Sequence, residues 1–240
     1  SLTAAALSAY AAVYAMHGFC YGMEVILTVP LMTGLLLLLD IDTSWSVRGW
    51  QAGRRGIAIG LIVTAMVISR IDTIIFAGLI ALGILVQPQL RRLMRLPLIA
   101  GIGLGLLPLM IYFIGNKIVF QTWLPISGMA KQLKIDSGFT SLAWMSLLGK
   151  SPLQLLNITP VVLALLVLPW LWWRLRPAQK AFVPATLAFP FIYLSILSWV
   201  SDWQLWGWYF YMLRPALLVA FLVLLETPQL RRLLAWTPPL

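Results

Sequence analysis

The sequence predicts an all-α fold, a polytopic transmembrane helical bundle of about eight membrane segments, and three observations predict it. Hydrophobic residues make up 61% of the 240-residue chain and charged residues only 10%, against roughly 25% charged in an ordinary soluble domain. Mean hydropathy is +0.93. Apolar stretches near the ~20 residues of one helical crossing recur along the whole chain, without the period-2 alternation of a membrane barrel. Backbone in lipid must satisfy its own hydrogen bonds, so these stretches read as helices.

Four basic clusters punctuate the chain: Arg48, Arg54 and Arg55; Arg91, Arg92 and Arg95; Arg174, Arg176 and Lys180; Arg231 and Arg232. Basic residues stay cytoplasmic, so every interval between clusters must cross the membrane an even number of times. The net charge of +10 therefore reports topology, and no nucleic-acid partner is expected.

Each segment follows from that parity. Leu2 to Met16 goes out, HGFCYG turns, and Met23 to Leu39 returns. The apolar run from Gly56 to Val86 would make one helix of about 46 Å, too long for a hydrocarbon core of about 30 Å. Two short crossings, about Gly56 to Ser69 and Thr73 to Gln87, or a partly inserted hairpin of the same two short helices, keep Arg54 and Arg91 on one side and put Arg70 and Asp72 at the outer apex. Residues two apart do not share a helix face, which also favours a break there. Leu96 to Gly115 goes out, residues 116–151 form an outer loop, and Leu153 to Trp173 returns; Phe182 to Val200 goes out and about Tyr209 to Leu225 returns. PQLRRL, at Pro88 to Leu93 and again at Pro228 to Leu233, reads as an interfacial basic segment lying against anionic lipid, or as a duplicated functional element.

Acidic residues test this layout independently. Glu24, Asp72, Asp136 and Asp202 fall outside, with Arg70, Lys117, Lys131, Lys134, Lys150 and Arg214, while Asp40, Asp42 and Glu226 fall on the basic side. The outer face is thus the mixed-charge face. One cysteine, Cys20, and one histidine, His17, build neither a disulfide framework nor a Cys/His metal cluster.

Several outer residues are open to two readings. Glu24 begins a helix, where a carboxylate is favoured by the unpaired amides and the dipole, or it organises a polar pocket. Arg70 and Asp72 close a hairpin as an ion pair, or Arg70 offers its planar fork to phosphate. In NKIVFQTWLPISGMAKQLK, aromatic anchors and snorkelling lysines account for much of the pattern but not for its turn at Pro125 and Gly128. In SWVSDWQLWGWYFYMLRPALL, the tryptophans form an interfacial belt or a surface for sugar or isoprenoid.

GME at Gly22 to Glu24, SRID at Ser69 to Asp72, NKIVFQTWLPISGMAK at Asn116 to Lys131 and DWQLWGWYFYMLRPAL at Asp202 to Leu217 together resemble polytopic bacterial membrane glycosyltransferases of the GT-C superfamily. The similarity is to their arabinofuranosyltransferase-like and mannosyltransferase-like branch. The resemblance implies transfer of a sugar from a polyprenyl-phosphate donor to an extracytoplasmic acceptor, in the bacterial cytoplasmic (inner) membrane. It also implies a catalytic acid in a first outer loop, which is expected to precede Ser1, so that 1–240 is a single transmembrane domain of a longer chain. The catalytic residues are accordingly unassigned. Arg70, Lys117, Lys131 and Arg214 are the candidates for lipid phosphate, and Glu24, Asp72 and Asp202 for sugar, acceptor or a divalent cation. Two other functions fit the composition: a non-catalytic membrane scaffold subunit of a larger complex, and a transporter of a lipid-linked substrate. Transport predicts buried polar groups near mid-bilayer, whereas here charge gathers at one face.

Overall fold

Glycines decide how the bundle packs. The structure, a computed structural model, describes residues 23–40, 49–123, 152–200 and 212–225. Among them every regular element is helical: α1 (Met23–Asp40), α2 (Trp50–Ser69), a 3-10 turn (Ile71–Thr73), α3 (Ile74–Val86), α4 (Pro88–Leu93), α5 (Leu96–Phe120), α6 (Pro152–Leu171), a second 3-10 turn (Trp172–Arg174), α7 (Pro177–Val200) and α8 (Arg214–Leu225). Trp50–Ser69, Leu96–Phe120 and Pro177–Trp199 are long and apolar enough to cross a membrane; the other apolar helices are shorter. This is the helix inventory of a membrane protein. The eight described α-helices are not one-for-one the expected segments. Leu2 to Met16 lies outside the described residues, and α4 is the first PQLRRL.

Helices α2 and α5 pack backbone on backbone. A Cβ added at Gly56 would stand 2.2 Å from the Leu98 carbonyl oxygen, and one at Gly60 would stand 2.5 Å from that of Ile102. Reciprocally, a Cβ added at Gly101 would collide with the Gly53 carbonyl oxygen and one at Gly105 with that of Ile57. Small residues four apart allow such close approach, which in lipid replaces the missing hydrophobic drive with dispersion contact. The Thr64 hydroxyl adds a hydrogen bond to the Gly105 carbonyl at 2.9 Å. The paired numbers rise together, so α2 and α5 run parallel.

Parallel packing fixes the path between them. The first turn of α5 stands beside the first turn of α2, where Gly53 meets Pro97. From Ser69 the chain must come back by the ~24 Å that separate Gly53 from Ser69, and residues 71–86 supply about that rise. Hence α3 runs opposite to α2. Helix α7 in turn runs opposite to α3, because Gly83 lies against the Ala181 carbonyl, Phe76 against Phe189 and Asp72 against Tyr193. The starts of α2, α5 and α7, carrying Arg54 and Arg55, Arg95, and Lys180, with α4 carrying Arg91 and Arg92, therefore share one end of the bundle. This is the grouping that parity predicts; Arg48, Arg231 and Arg232 lie outside the described residues.

The remaining helices close the core. The Arg55 guanidinium donates to the Leu38 carbonyl, tying the C-terminal end of α1 to the first turns of α2. Met32 and Leu35 of α1, Phe76 of α3, Ala164 of α6, Leu187 and Phe189 of α7 and Ala220 of α8 are all buried in one cluster. Helix α5 joins it only through Leu98 and Ile102, and its buried residues are limited to one stripe, Leu98, Gly101, Gly105, Leu109 and Asn116.

The helix limits differ from the expected ones at both ends of the bundle: α5 runs to Phe120, so residues 116–120 of the expected outer loop are helical. Helix α2 begins at Trp50 rather than Gly56, since arginines near a membrane surface keep their charge in water while their stems stay helical. Gly101→Leu is expected to separate α2 from α5 and to cost about 1–3 kcal/mol or more, read as a fall in unfolding temperature in detergent. Gly103→Leu, at a position where an added Cβ meets nothing within 4 Å, should leave stability nearly unchanged.

Candidate functional site

At the end opposite the basic clusters the chain reverses through one extended residue. Arg70, at φ −152° and ψ 117°, ends α2, and its amide still donates to the Met66 carbonyl at 3.0 Å. Its carbonyl accepts from the Thr73 amide at 3.0 Å and the Thr73 hydroxyl at 2.7 Å, closing the turn that starts α3. The break lets side chains two apart meet. Arg70 Nε donates to Asp72 Oδ1 at 3.1 Å and Nη2 to Oδ2 at 2.8 Å, a two-pronged ion pair.

A third group completes it from across the bundle. Tyr193 of α7 donates its hydroxyl to Asp72 Oδ2 at 3.0 Å. Tyr193 is fully buried, stacked on Phe189 at 5.4 Å, and Phe189 meets Phe76 edge-on at 5.3 Å. This aromatic wall lowers the local dielectric and so strengthens the attraction within the pair, while raising the cost of leaving either charge alone.

The apex was expected at the membrane surface; in the structure the Arg70 side chain is only 3% exposed and that of Asp72 18%. The reason is helix length. Helix α7 continues from Tyr193 to Val200, about 10 Å past the pair at 1.5 Å per residue, so the hairpin apex is recessed below the ends of its neighbours. Arg70 is thus at the helix ends but inside the protein, with its fork turned to Asp72.

Lys117 stands at the same end, because α5 parallels α2 and runs further. Its ammonium donates to the Gln121 carbonyl at 3.0 Å, where Gln121 adopts a left-handed cap at φ 58°. A cation at a helix C-terminus also complements the dipole. One residue earlier, Asn116 is 8% exposed, and its side-chain amide nitrogen has no hydrogen-bond partner among the described residues.

Below Lys117 an apolar groove of about 330 Å³ is lined by Met110, Phe113, Ile114 and Trp123. Positions 110, 113, 114 and 117 recur at helical spacing, so the groove and the ammonium share one face of α5.

The other expected site residues are less closely defined. Glu24 stands in the first turn of α1, and Arg214 begins α8, half-buried. Lys131 and Asp202 lie outside the described residues. The structure therefore brings together Arg70 and Asp72, adds Tyr193, and puts Lys117 at the same end. No three His, Cys, Asp or Glu side chains converge among the described residues. A divalent cation would have to compete with Arg70 and Tyr193 for Asp72.

Tyr193 and Asn116 were missed as candidates. Each carries a signal, a lone hydrogen-bonding group next to or within an apolar run. The chain matches no family model, no curated protein and no solved structure.

Asp72→Asn should cost about 3–5 kcal/mol, because it removes the carboxylate charge with which the buried Arg70 forms its two-pronged ion pair. Tyr193→Phe should cost about 1.5–3 kcal/mol, the worth of one hydrogen bond to a charged group. Thermal unfolding of both variants in detergent checks the order.

Proposed function

We propose that the chain is the membrane core of a GT-C-like glycosyltransferase. It takes a sugar from a polyprenyl-phosphate donor and acts at the end opposite the basic clusters, the extracytoplasmic side of a bacterial inner membrane. About eight crossings, with the basic loops cytoplasmic, belong to this reading. The observation that carries it is the apolar groove of Met110, Phe113, Ile114 and Trp123, on the face of α5 that by helical spacing also carries Lys117. An isoprenoid tail suits a groove without polar lining, and its phosphate suits an ammonium where the groove meets the polar end of the bundle.

The chemistry asks for little more. The acceptor oxygen bonds to the anomeric carbon as the bond from that carbon to the phosphate oxygen breaks. The phosphate departs with the electron pair, and the hydroxyl proton passes to a base. Positive charge near the leaving phosphate lowers the barrier. Lys117 supplies it in this reading, with Lys131 and Arg214 as further candidates. Asn116 offers an unused amide donor to a sugar or phosphate oxygen. The base remains unassigned, with Glu24 and Asp202 as candidates. Asp72 positions the apex through Arg70 and Tyr193.

Two observations favour the alternative of a non-catalytic scaffold subunit. Arg70 and Asp72 neutralise each other, and Lys117 caps its own helix. Transfer of radiolabelled sugar from defined polyprenyl-phosphate donors by the full-length protein separates the two. Turnover is expected, and absence of turnover with every donor, together with stable co-purification in a larger complex, supports the scaffold. Lys117→Gln should raise the donor KM about tenfold or more, as loss of a charged contact does. Asn116→Leu should lower transfer yet raise stability by about 1–3 kcal/mol, since it removes an unsatisfied buried donor.

A further inference from the structure

The basic end contains a second arrangement, independent of the glycosyltransferase reading. Arg54 and Arg55 are adjacent in sequence but separate in use. Arg55 is half-buried and spends its guanidinium on the Leu38 carbonyl of α1. Arg54, about 100° further round α2, is exposed. Gly53 lies against Pro97, with an added Cβ 3.7 Å from the Pro97 carbonyl oxygen. Arg54 and Arg95 therefore flank the point where the first turns of α2 and α5 meet. Helix α4 reaches the same place by chain connection; Leu90, 1% exposed, anchors it, while Arg91 and Arg92 are exposed.

Four exposed arginines on three short-range elements thus concentrate around one junction. None of the four forms an ion pair among the described residues. Asp40 ends α1 at this end of the bundle. Beside the junction, Trp50 is 75% and Leu96 79% exposed. From Leu96 an uncovered apolar strip, including Ile99, Leu104 and Leu107, continues along α5.

We infer that this junction binds the headgroup of an anionic phospholipid, with the phosphate between Arg54, Arg95 and the α4 arginines and an acyl chain along the bare face of α5. The combination selects a lipid over a free anion: concentrated positive charge sits directly above an apolar strip, with Trp50 at headgroup depth. A soluble acidic partner would leave the strip uncovered. Guanidinium forks suit phosphate oxygens and hold two at once.

The test uses the full-length protein in neutral detergent, with phosphatidylglycerol and phosphatidylcholine of identical chains and retained lipid counted by native mass spectrometry. Preferential retention of phosphatidylglycerol, weakened by salt, is expected. Arg54→Gln with Arg95→Gln should reduce that retention roughly thirtyfold, each arginine at an anionic surface being worth about a factor of five. Phosphatidylcholine retention should not change. The pair Arg91→Gln and Arg92→Gln, on a different element, provides a second reading if the first fails to fold. Equal retention of the two lipids, wild-type retention of phosphatidylglycerol by both double variants, or its displacement by millimolar inorganic phosphate would each overturn the inference.

Discussion

The contact of Gly56 and Gly60 with Gly101 and Gly105 is the constraint from which the rest of the arrangement follows. With no Cβ on either side, two helices touch through carbonyls and Cα atoms, and the register adopted sets Gly56 beside Gly101 and Gly60 beside Gly105. That register is parallel. Two parallel helices 27 residues apart in sequence need a return path, so the 71–86 segment must run antiparallel between their ends. The position of Arg70 at the end opposite Arg54 is thus a consequence of glycine spacing as much as of charge.

Electrostatics then decides what that position can hold. An arginine carried into an apolar bundle needs a partner with matched geometry, and the extended backbone at Arg70 turns a two-residue spacing, useless within a helix, into a bidentate pair. Tyr193 adds the donor that occupies the carboxylate from α7. The pair holds the α2–α3 hairpin to α7 through Asp72 in a setting where breaking it exposes a charge to low dielectric. Its chemistry is that of a clamp, which leaves Lys117 as the charged side chain on the face of α5 that lines the groove.

Much of this was legible in the sequence, though by unequal routes. The basic clusters placed Arg54, Arg91 and Lys180 at one end, and parity broke the long apolar run at Arg70, because both inferences use charge and length alone. The partnership of Asp72 with Tyr193 was not legible, since 121 residues separate them and no local pattern joins them. The glycine register was readable in principle from GRRGIAIG and GIGLG. Hydropathy treats glycine as nearly neutral, so a reading built on apolar length passes over it. The burial of Arg70 escaped for a further reason: it depends on how far α7 outlasts its neighbours, a tertiary quantity.

Helix α5 joins the two ends. Its buried stripe is spent on α2, and among the described residues most of its remaining surface is exposed. The start of that surface lies beside Arg54 and Arg95, where a phosphate with its own tail would sit, and its far end forms the groove under Lys117, again a place for an apolar chain beneath a cation. The two proposed amphiphile sites, at opposite ends of one helix, need not compete: the axial distance from Arg95 to Lys117 is about 33 Å at 1.5 Å per residue, so each would occupy its own leaflet. Charge on opposite ends, with apolar surface between, suits a helix that is anchored by ordinary lipid at one face and presents a specialised lipid at the other.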